Sequence, residues 1–213
     1  MESKELNAVT DHDIRLIVGL GNPDEQYAHT RHNLGYDLLT DLAREAGVTL
    51  QPEKRFFALM GRALLNGTEV KLLFPTTYMN ESGRAVGAVT QFFKLRSEQI
   101  LVLHDDLDLK PGTLRLKFGG GFAGHRGLKS ISACLANTQN FHRLKLGIGM
   151  PPSGEVINWV LGRPSGTDAE LIARAQQVGL EALRTLFERG LAAATLLANS
   201  YKPASQTQAQ TPN

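Results

Sequence analysis

The sequence has a single cysteine and no long apolar run, and these absences exclude several classes of protein. With only Cys134 among 213 residues, neither a disulfide framework nor a cysteine-based zinc site can form. No apolar stretch approaches the roughly 20 residues that cross a bilayer. The N-terminus is polar and acidic, whereas a signal peptide would be basic and then apolar. We therefore expect a cytoplasmic protein.

Acidic residues are absent from one long segment. Residues 109–150 carry seven Lys and Arg but neither Asp nor Glu, whereas the rest of the chain has sixteen basic and twenty-one acidic residues. A partner rich in phosphate would explain this asymmetry. The alternative is a basic face that only keeps the protein in solution.

Hydrophobic residues make up 42% of the chain, which is enough for one core without covalent or metal cross-links. The polar ends predict disordered tails at 1–13 and 202–213, which leaves one domain at 14–201. Nearly continuous apolar runs predict buried strands at 15–20, 70–74 and 100–103. Further strands are predicted at 56–65, at 113–118 and around 144–148.

Helical spacing of apolar residues predicts helices at 34–46, 85–93 and 128–135. A capping box of Thr167 and Glu170 predicts the start of a longer helix that ends at Gly190, before a short helix that ends near Ser200. This alternation indicates an α/β class protein: a single-domain sandwich with a mixed, mostly parallel central sheet flanked by helices.

Polar motifs follow the three buried strands. The first strand is followed by Gly21-Asn22-Pro23, the second by a segment that ends in Met79-Asn80, and the third by His104-Asp105-Asp106. If these strands are parallel, the motifs meet at the edge of the sheet where open α/β proteins bind ligands. A dinucleotide fingerprint is not met, because Asp24 stands where its third glycine belongs.

Two histidines, His29 and His32, precede the first predicted helix. They could share a helical face and bind a metal, although this segment supplies no carboxylate ligand at helical spacing and no cysteine is nearby. His32 could instead be a general base oriented by Asp105 or Asp106. The sequence has no nucleophile motif, so this chemistry would use water as the attacking group.

Asn22 and Asn80 could read a peptide backbone, because an amide donates and accepts hydrogen bonds at once. The alternative for Asn80 is a helix N-cap. The glycine-rich, basic loop at 118–127 leads to a predicted helix N-terminus that would attract anions near His125 and Arg126. Its alternative is an ordinary surface loop.

Five blocks of sequence resemble, in order, the motifs of bacterial peptidyl-tRNA hydrolases. They are LIVGLGNPDEQYAHTRHNLGY, FPTTYMNESGRAV, LVLHDDLDLKPG, LKFGGGFAGHRGLKS and NFHRLKLGIGMP, between about Ile14 and Tyr201. The resemblance implies a monomeric α/β enzyme that cleaves the ester between a peptide and the tRNA 3′ end and so recycles tRNA. It implies contact with the acceptor stem and the 3′ end, and no cofactor, metal, membrane or protein partner.

The resemblance also implies roles for individual residues. His32 would be the catalytic base and Asp105 its orienting partner. The substrate-binding residues would be Asn22, Tyr27, Met79, Asn80, His125 and Arg126. The residues that grip the tRNA phosphate would be Lys117, Arg143 and Lys145.

Two positions depart from the family pattern. Arg126 stands where an Asn usually follows the histidine, and Met150 stands where some members have His. Arg126 cannot accept a hydrogen bond, so we expect altered affinity but intact chemistry. The departure keeps open an alternative function, that of an RNA-binding protein without turnover on the same fold.

Overall fold

The computed structural model describes residues 11–152 and 154–203, so most of both predicted tails lies outside the described residues. The predicted boundary of the N-terminal tail at residue 13 is wrong, because residues 11–13 contact the rest of the domain. The carboxylate of Asp11 accepts hydrogen bonds from the backbone amides of Leu191 and Ala192. His12 Nε2 lies 3.0 Å from the carbonyl oxygen of Leu186. The domain therefore begins at or before Asp11.

Strands and helices alternate as predicted. In chain order they are β1 (Leu16–Gly19), α1 (Leu34–Glu45), β2 (Gln51–Glu53), β3 (Ala58–Leu65), β4 (Thr68–Pro75), α2 (Ser82–Phe93), β5 (Ile100–Asp106), β6 (Leu114–Phe118), α3 (Arg126–Cys134), β7 (His142–Gly147), α4 (Val156–Leu161), α5 (Gly166–Arg189) and α6 (Leu191–Ser200). The predicted capping box is wrong, because α5 begins at Gly166 after Ser165, which places Thr167 inside the first turn.

The strands of the described residues form one mixed sheet in the order β2-β3-β4-β1-β5-β7-β6. The four central strands β4, β1, β5 and β7 pair in parallel, and the outer pairings are antiparallel. The predicted α/β sandwich with a mixed sheet is thus confirmed, but the expectation of a mostly parallel sheet is wrong, because three of the six strand pairings are antiparallel and the parallel pairings are confined to the centre. Asn66 and Gly67, both at positive φ, make the tight turn that forces β3 and β4 to be antiparallel.

Helices cover both faces of the sheet. One apolar cluster joins the sheet to α1, α5 and α6, and the other joins it to α2 and α3. Alternate residues of β1 point into the two clusters, Ile17 into the first and Leu16 and Val18 into the second, as a strand buried on both faces requires. Within 11–152 and 154–203, the helices are too short or too polar to cross a bilayer.

Two glycines let α1 pack unusually close to the sheet. A Cβ on Gly35 would collide with the carbonyl oxygen of Leu103 in β5, and a Cβ on Gly19 would collide with the backbone of Gly35. The amide of Tyr36 also donates to the carbonyl of Leu20, 3.0 Å away. The N-terminus of α1 is thereby fixed against the carboxyl ends of β1 and β5.

We predict that Gly35→Ala destabilises the protein, because a methyl group cannot share space with the Leu103 carbonyl. Overpacking of this kind costs about 1–3 kcal/mol of the free energy of unfolding, measurable by urea denaturation. Gly121→Ala is the matched control, since a Cβ there has open space around it. Equal stability of the two variants would contradict the close packing of α1.

Candidate active site

A cavity of about 470 Å³ opens at the carboxyl edge of the central strands. Seven of the predicted site residues line it together: Asn22, His32, Met79, Asn80, Asp105, His125 and Arg126. Three separate polar motifs therefore do meet at one edge of the sheet, as the parallel arrangement of β1, β4 and β5 predicts. Tyr27 was expected to bind substrate in this cavity, but it does not line the cavity. Tyr78 lines it instead.

His32 and Asp105 form the predicted pair. His32 lies in a single 3₁₀ turn, Arg31–Asn33, immediately before α1. Its Nδ1 is 2.9 Å from Oδ1 and 3.1 Å from Oδ2 of Asp105. The Asp105 side chain is 2% exposed, and that of His32 is 13% exposed and borders the cavity. The carboxylate thus fixes the ring while the other ring nitrogen, Nε2, remains available.

A second histidine shares the same carboxylate. His125 Nε2 lies 3.1 Å from Asp105 Oδ1, and the rings of His32 and His125 have centroids 5.0 Å apart. His125 is also the N-cap of α3, where its Nδ1 accepts from the amide of Leu128. Because Nδ1 is an acceptor in this arrangement, Nε2 carries the proton that is donated to Asp105.

The third histidine of the site, His104, is fully enclosed. Its Nδ1 lies 2.7 Å from the backbone carbonyl oxygen of Asp105, and its ring stands edge-on to that of His125. Burial, together with the neighbouring His125, lowers the pKa of His104 to about 3. His104 is therefore neutral and supports the position of its neighbours.

Charges around His32 act on its pKa in opposite directions. Burial of the ring lowers this pKa, but the charge and hydrogen bonds of Asp105 outweigh burial, so the pKa of His32 is raised above its usual value. The positive charge of Arg126 opposes this rise. Asp105 itself is buried, which raises its pKa, yet the two imidazoles hold the pKa of its carboxyl well below the usual range.

Asn22 is held in place by its neighbours. Its Oδ1 accepts from the amide of Met79 at 2.9 Å, and its backbone exchanges two hydrogen bonds with the side chain of Asn33. In the described contacts, Nδ2 of Asn22 has no protein partner, so it can donate to a ligand. Asn33 was missed by the sequence analysis, because its role depends on a contact across eleven residues.

Asn80 is exposed at the mouth of the cavity, inside the 3₁₀ turn Met79–Glu81. The alternative that Asn80 caps the next helix is wrong, because the residue before α2 is Glu81. The amide of Asn80 is thus not committed to the end of a helix.

One wall of the cavity comes from α4, which the sequence analysis did not predict. Val156, Ile157, Val160 and Leu161 line the cavity. The buried Arg31 holds this helix, since its guanidinium lies 3.6 Å from the Trp159 ring centre and donates to backbone carbonyls at the end of α4. The apolar spacing of α4 was the available signal, but six residues are too few for a clear helical period.

The predicted phosphate-binding residues lie on the same face of β6 and β7 but differ in exposure. Lys117 is exposed, as predicted, on β6. Arg143 is 0% exposed and donates to the carbonyls of Gly120 and Gly121 between two phenylalanine rings, so its predicted phosphate contact is wrong. Lys145 lies 2.6 Å from a carboxylate oxygen of Asp106.

The ligand atoms of His32, Asp105 and His125 lie within 4.8 Å of one another, so this trio is where a metal could bind. Its atoms already satisfy one another by hydrogen bonds. The hypothesis of a His29–His32 metal pair is wrong, because the His29 side chain is 79% exposed and pairs with Asp37.

Comparisons with known proteins agree on one family. A family model described as peptidyl-tRNA hydrolase matches residues 16–208. Peptidyl-tRNA hydrolases of Haemophilus influenzae and Shewanella baltica are 48% and 49% identical over 191 residues, which is 89% of this chain and 98% of each relative. The crystal structure of the Acinetobacter baumannii peptidyl-tRNA hydrolase superposes with a TM-score of 0.85 at 42% identity, over 90% of this chain and 97% of that one.

The opposing charges around His32 predict how its titration responds to substitution. In an NMR pH titration, the His32 midpoint should lie above 6.5 in the wild-type protein. Asp105→Asn should lower the midpoint, because burial then acts without the carboxylate. Arg126→Asn should raise it, because a repelling charge is removed. A midpoint that moves the other way in either variant would contradict this account.

Proposed function

Because this chain belongs to the peptidyl-tRNA hydrolase family and hydrolyses peptidyl-tRNA, we propose that His32 is the general base that activates the attacking water. The observation that carries the proposal is the His32–Asp105 hydrogen bond at the cavity. Asp105 is ionised, so it accepts the proton on Nδ1 and leaves Nε2 of His32 as the free base.

The reaction follows from this arrangement. Nε2 of His32 removes a proton from water as the water oxygen attacks the ester carbonyl carbon. Asp105 offsets the positive charge that develops on the ring. When the tetrahedral intermediate collapses, the bond to the tRNA ribose oxygen breaks and the proton passes to that oxygen. The products are a peptide with a free carboxyl group and a tRNA with a free 3′ hydroxyl.

Asn22 is suited to stabilise the intermediate. Its Oδ1 is already bonded to the amide of Met79, so its orientation is fixed and its Nδ2 is a donor only. A preoriented donor at the developing oxyanion accelerates acyl transfer without reorganisation. Asn80 at the cavity mouth and Met79 in its wall would hold the substrate.

The alternative of an RNA-binding protein without turnover gains no support from the site, in which His32 is hydrogen-bonded to Asp105 beside the cavity. Of the predicted cations, Lys117 is the one best placed to contact the tRNA phosphate, because it is exposed and Arg143 is not. We propose that Tyr27 contacts the substrate and that Lys145 contacts tRNA phosphate. We also propose that the protein acts as a monomer in the cytoplasm.

His32→Ala should lower kcat by roughly 10²–10⁴, which is the usual contribution of a general base. Binding of tRNA should hardly change, because the proposed role of the imidazole is proton transfer at the ester. The measurement is hydrolysis of an N-blocked aminoacyl-tRNA at saturation, in EDTA. Asp105→Asn should lower kcat by a smaller factor than His32→Ala, because the imidazole base is still present without its orienting carboxylate. A loss under tenfold for His32→Ala would exclude His32 as the base.

Lys117→Ala should weaken tRNA binding and flatten its dependence on salt. Each lost phosphate contact reduces the slope of log K against log salt by somewhat under one unit. kcat at saturation should stay nearly constant. Arg62→Ala, which removes an exposed cation from β3, is the control and should leave the slope unchanged. Equal slopes in both variants would show that Lys117 is only a solvated charge.

A further inference from the structure

Arg126 places an unpaired cation inside the catalytic cavity. It is the first residue of α3, it is exposed, and it lines the same cavity as His32. Its neighbour His125 hydrogen-bonds to Asp105, so Arg126 is one residue from the catalytic network. Among the described residues, no carboxylate forms an ion pair with Arg126. Its guanidinium is free to bind an anion that enters the cavity.

The acidic groups of the cavity do not prevent an anion from binding. The carboxylate of Asp105 is shared by two imidazoles, and that of Asp106 lies 2.6 Å from Lys145 Nζ. Both carboxylates are therefore already engaged at short range, that of Asp105 by imidazole N–H groups and that of Asp106 by the ammonium of Lys145. Among the described residues, Arg126 at the positive end of α3 is a cation of the cavity lining that neither carboxylate contacts.

The chemistry of the reaction indicates which anion this is. The substrate has a neutral ester carbonyl beside His32, and hydrolysis turns the same carbon into a carboxylate. The nearest phosphate of the tRNA is on the far side of the terminal ribose, a nucleoside away from the reacting carbon. The anion that forms close to His32 is therefore the carboxylate of the peptide product. A guanidinium binds a carboxylate through two parallel hydrogen bonds, which an asparagine cannot do.

We propose that Arg126 binds the new C-terminal carboxylate of the released peptide and so retains the product in the active site. The proposal rests on the proposed function, because that function places the ester carbonyl beside His32. It identifies free peptides with a C-terminal carboxylate as a class of ligand, and as competitive inhibitors of hydrolysis.

The test is direct binding of N-acetyl-dialanine and of its C-terminal amide, measured by calorimetry without turnover. In the wild-type protein, the carboxylate should bind roughly fivefold more tightly than the amide, as expected for a solvent-accessible ion pair. In Arg126→Asn this preference should disappear, with amide binding unchanged. Lys129→Asn is the matched control: it removes an exposed cation from the same helix outside the cavity lining and should keep the preference.

A further comparison separates the two possible sources of the anion. Adenosine 5′-monophosphate carries the phosphate nearest to the tRNA 3′ end. If Arg126→Asn weakens binding of this nucleotide and leaves the preference for the carboxylate over the amide intact, Arg126 binds tRNA phosphate and the proposal is wrong. If the wild-type protein shows no preference for the carboxylate over the amide, the proposal is also wrong.

Steady-state kinetics distinguish failure of this proposal from failure of the proposed function. Added N-acetyl-dialanine should inhibit hydrolysis of an N-blocked aminoacyl-tRNA, with an inhibition constant about fivefold higher in Arg126→Asn. Equal inhibition of both proteins would overturn the role of Arg126 while leaving the role of His32 intact. The mechanism itself is tested separately by the turnover of His32→Ala.

Discussion

A buried carboxylate determines the design of this site. Asp105 is 2% exposed at the end of β5, where an ionised group is costly unless it is compensated. The compensation comes from His32 on one side and His125 on the other, and each belongs to a different helical layer. The requirement to solvate one charge therefore ties α1 and α3 to the same edge of the sheet. The close contact of Gly35 with Leu103 brings the first of these helices within reach.

The basic segment has several functions, although its charge pattern looks uniform. Arg143 is an internal support that holds the glycine-rich loop by its carbonyls, and Lys145 compensates Asp106. Exposed members outside the catalytic cavity, such as Lys117, can contact a polyanion, whereas Arg126 lines the cavity. A partner rich in phosphate thus explains the positive charge of only part of the segment. The remainder reflects the cost of burying polar backbone and carboxylates near the active site.

The sequence predicts the parallel centre of the sheet and the meeting of Asn22, Asn80 and Asp105, because both follow from strand periodicity and strand direction. It singles out His32 as a candidate base, and the motif order alone leaves its partner open between two adjacent aspartates, of which the family resemblance implies Asp105. The structure resolves this choice through strand alternation, which places Asp105 and Asp106 on opposite faces. The burial of Arg143 and the wall formed by α4 were not predictable. The burial of Arg143 depends on contacts between distant segments, and the six residues of α4 are too few to give a clear helical period.

The cation of Arg126 in the lining of the catalytic cavity has two separable electrostatic consequences. Before the reaction, the cation opposes protonation of His32 and so increases the share of the free base, against the pull of Asp105. After it, the same cation attracts the carboxylate that the reaction has created. The first effect helps catalysis near neutral pH, and the second delays the release of product. Because a neutral ester gains little from a nearby cation and a carboxylate gains much, Arg126 affects product release more than substrate binding.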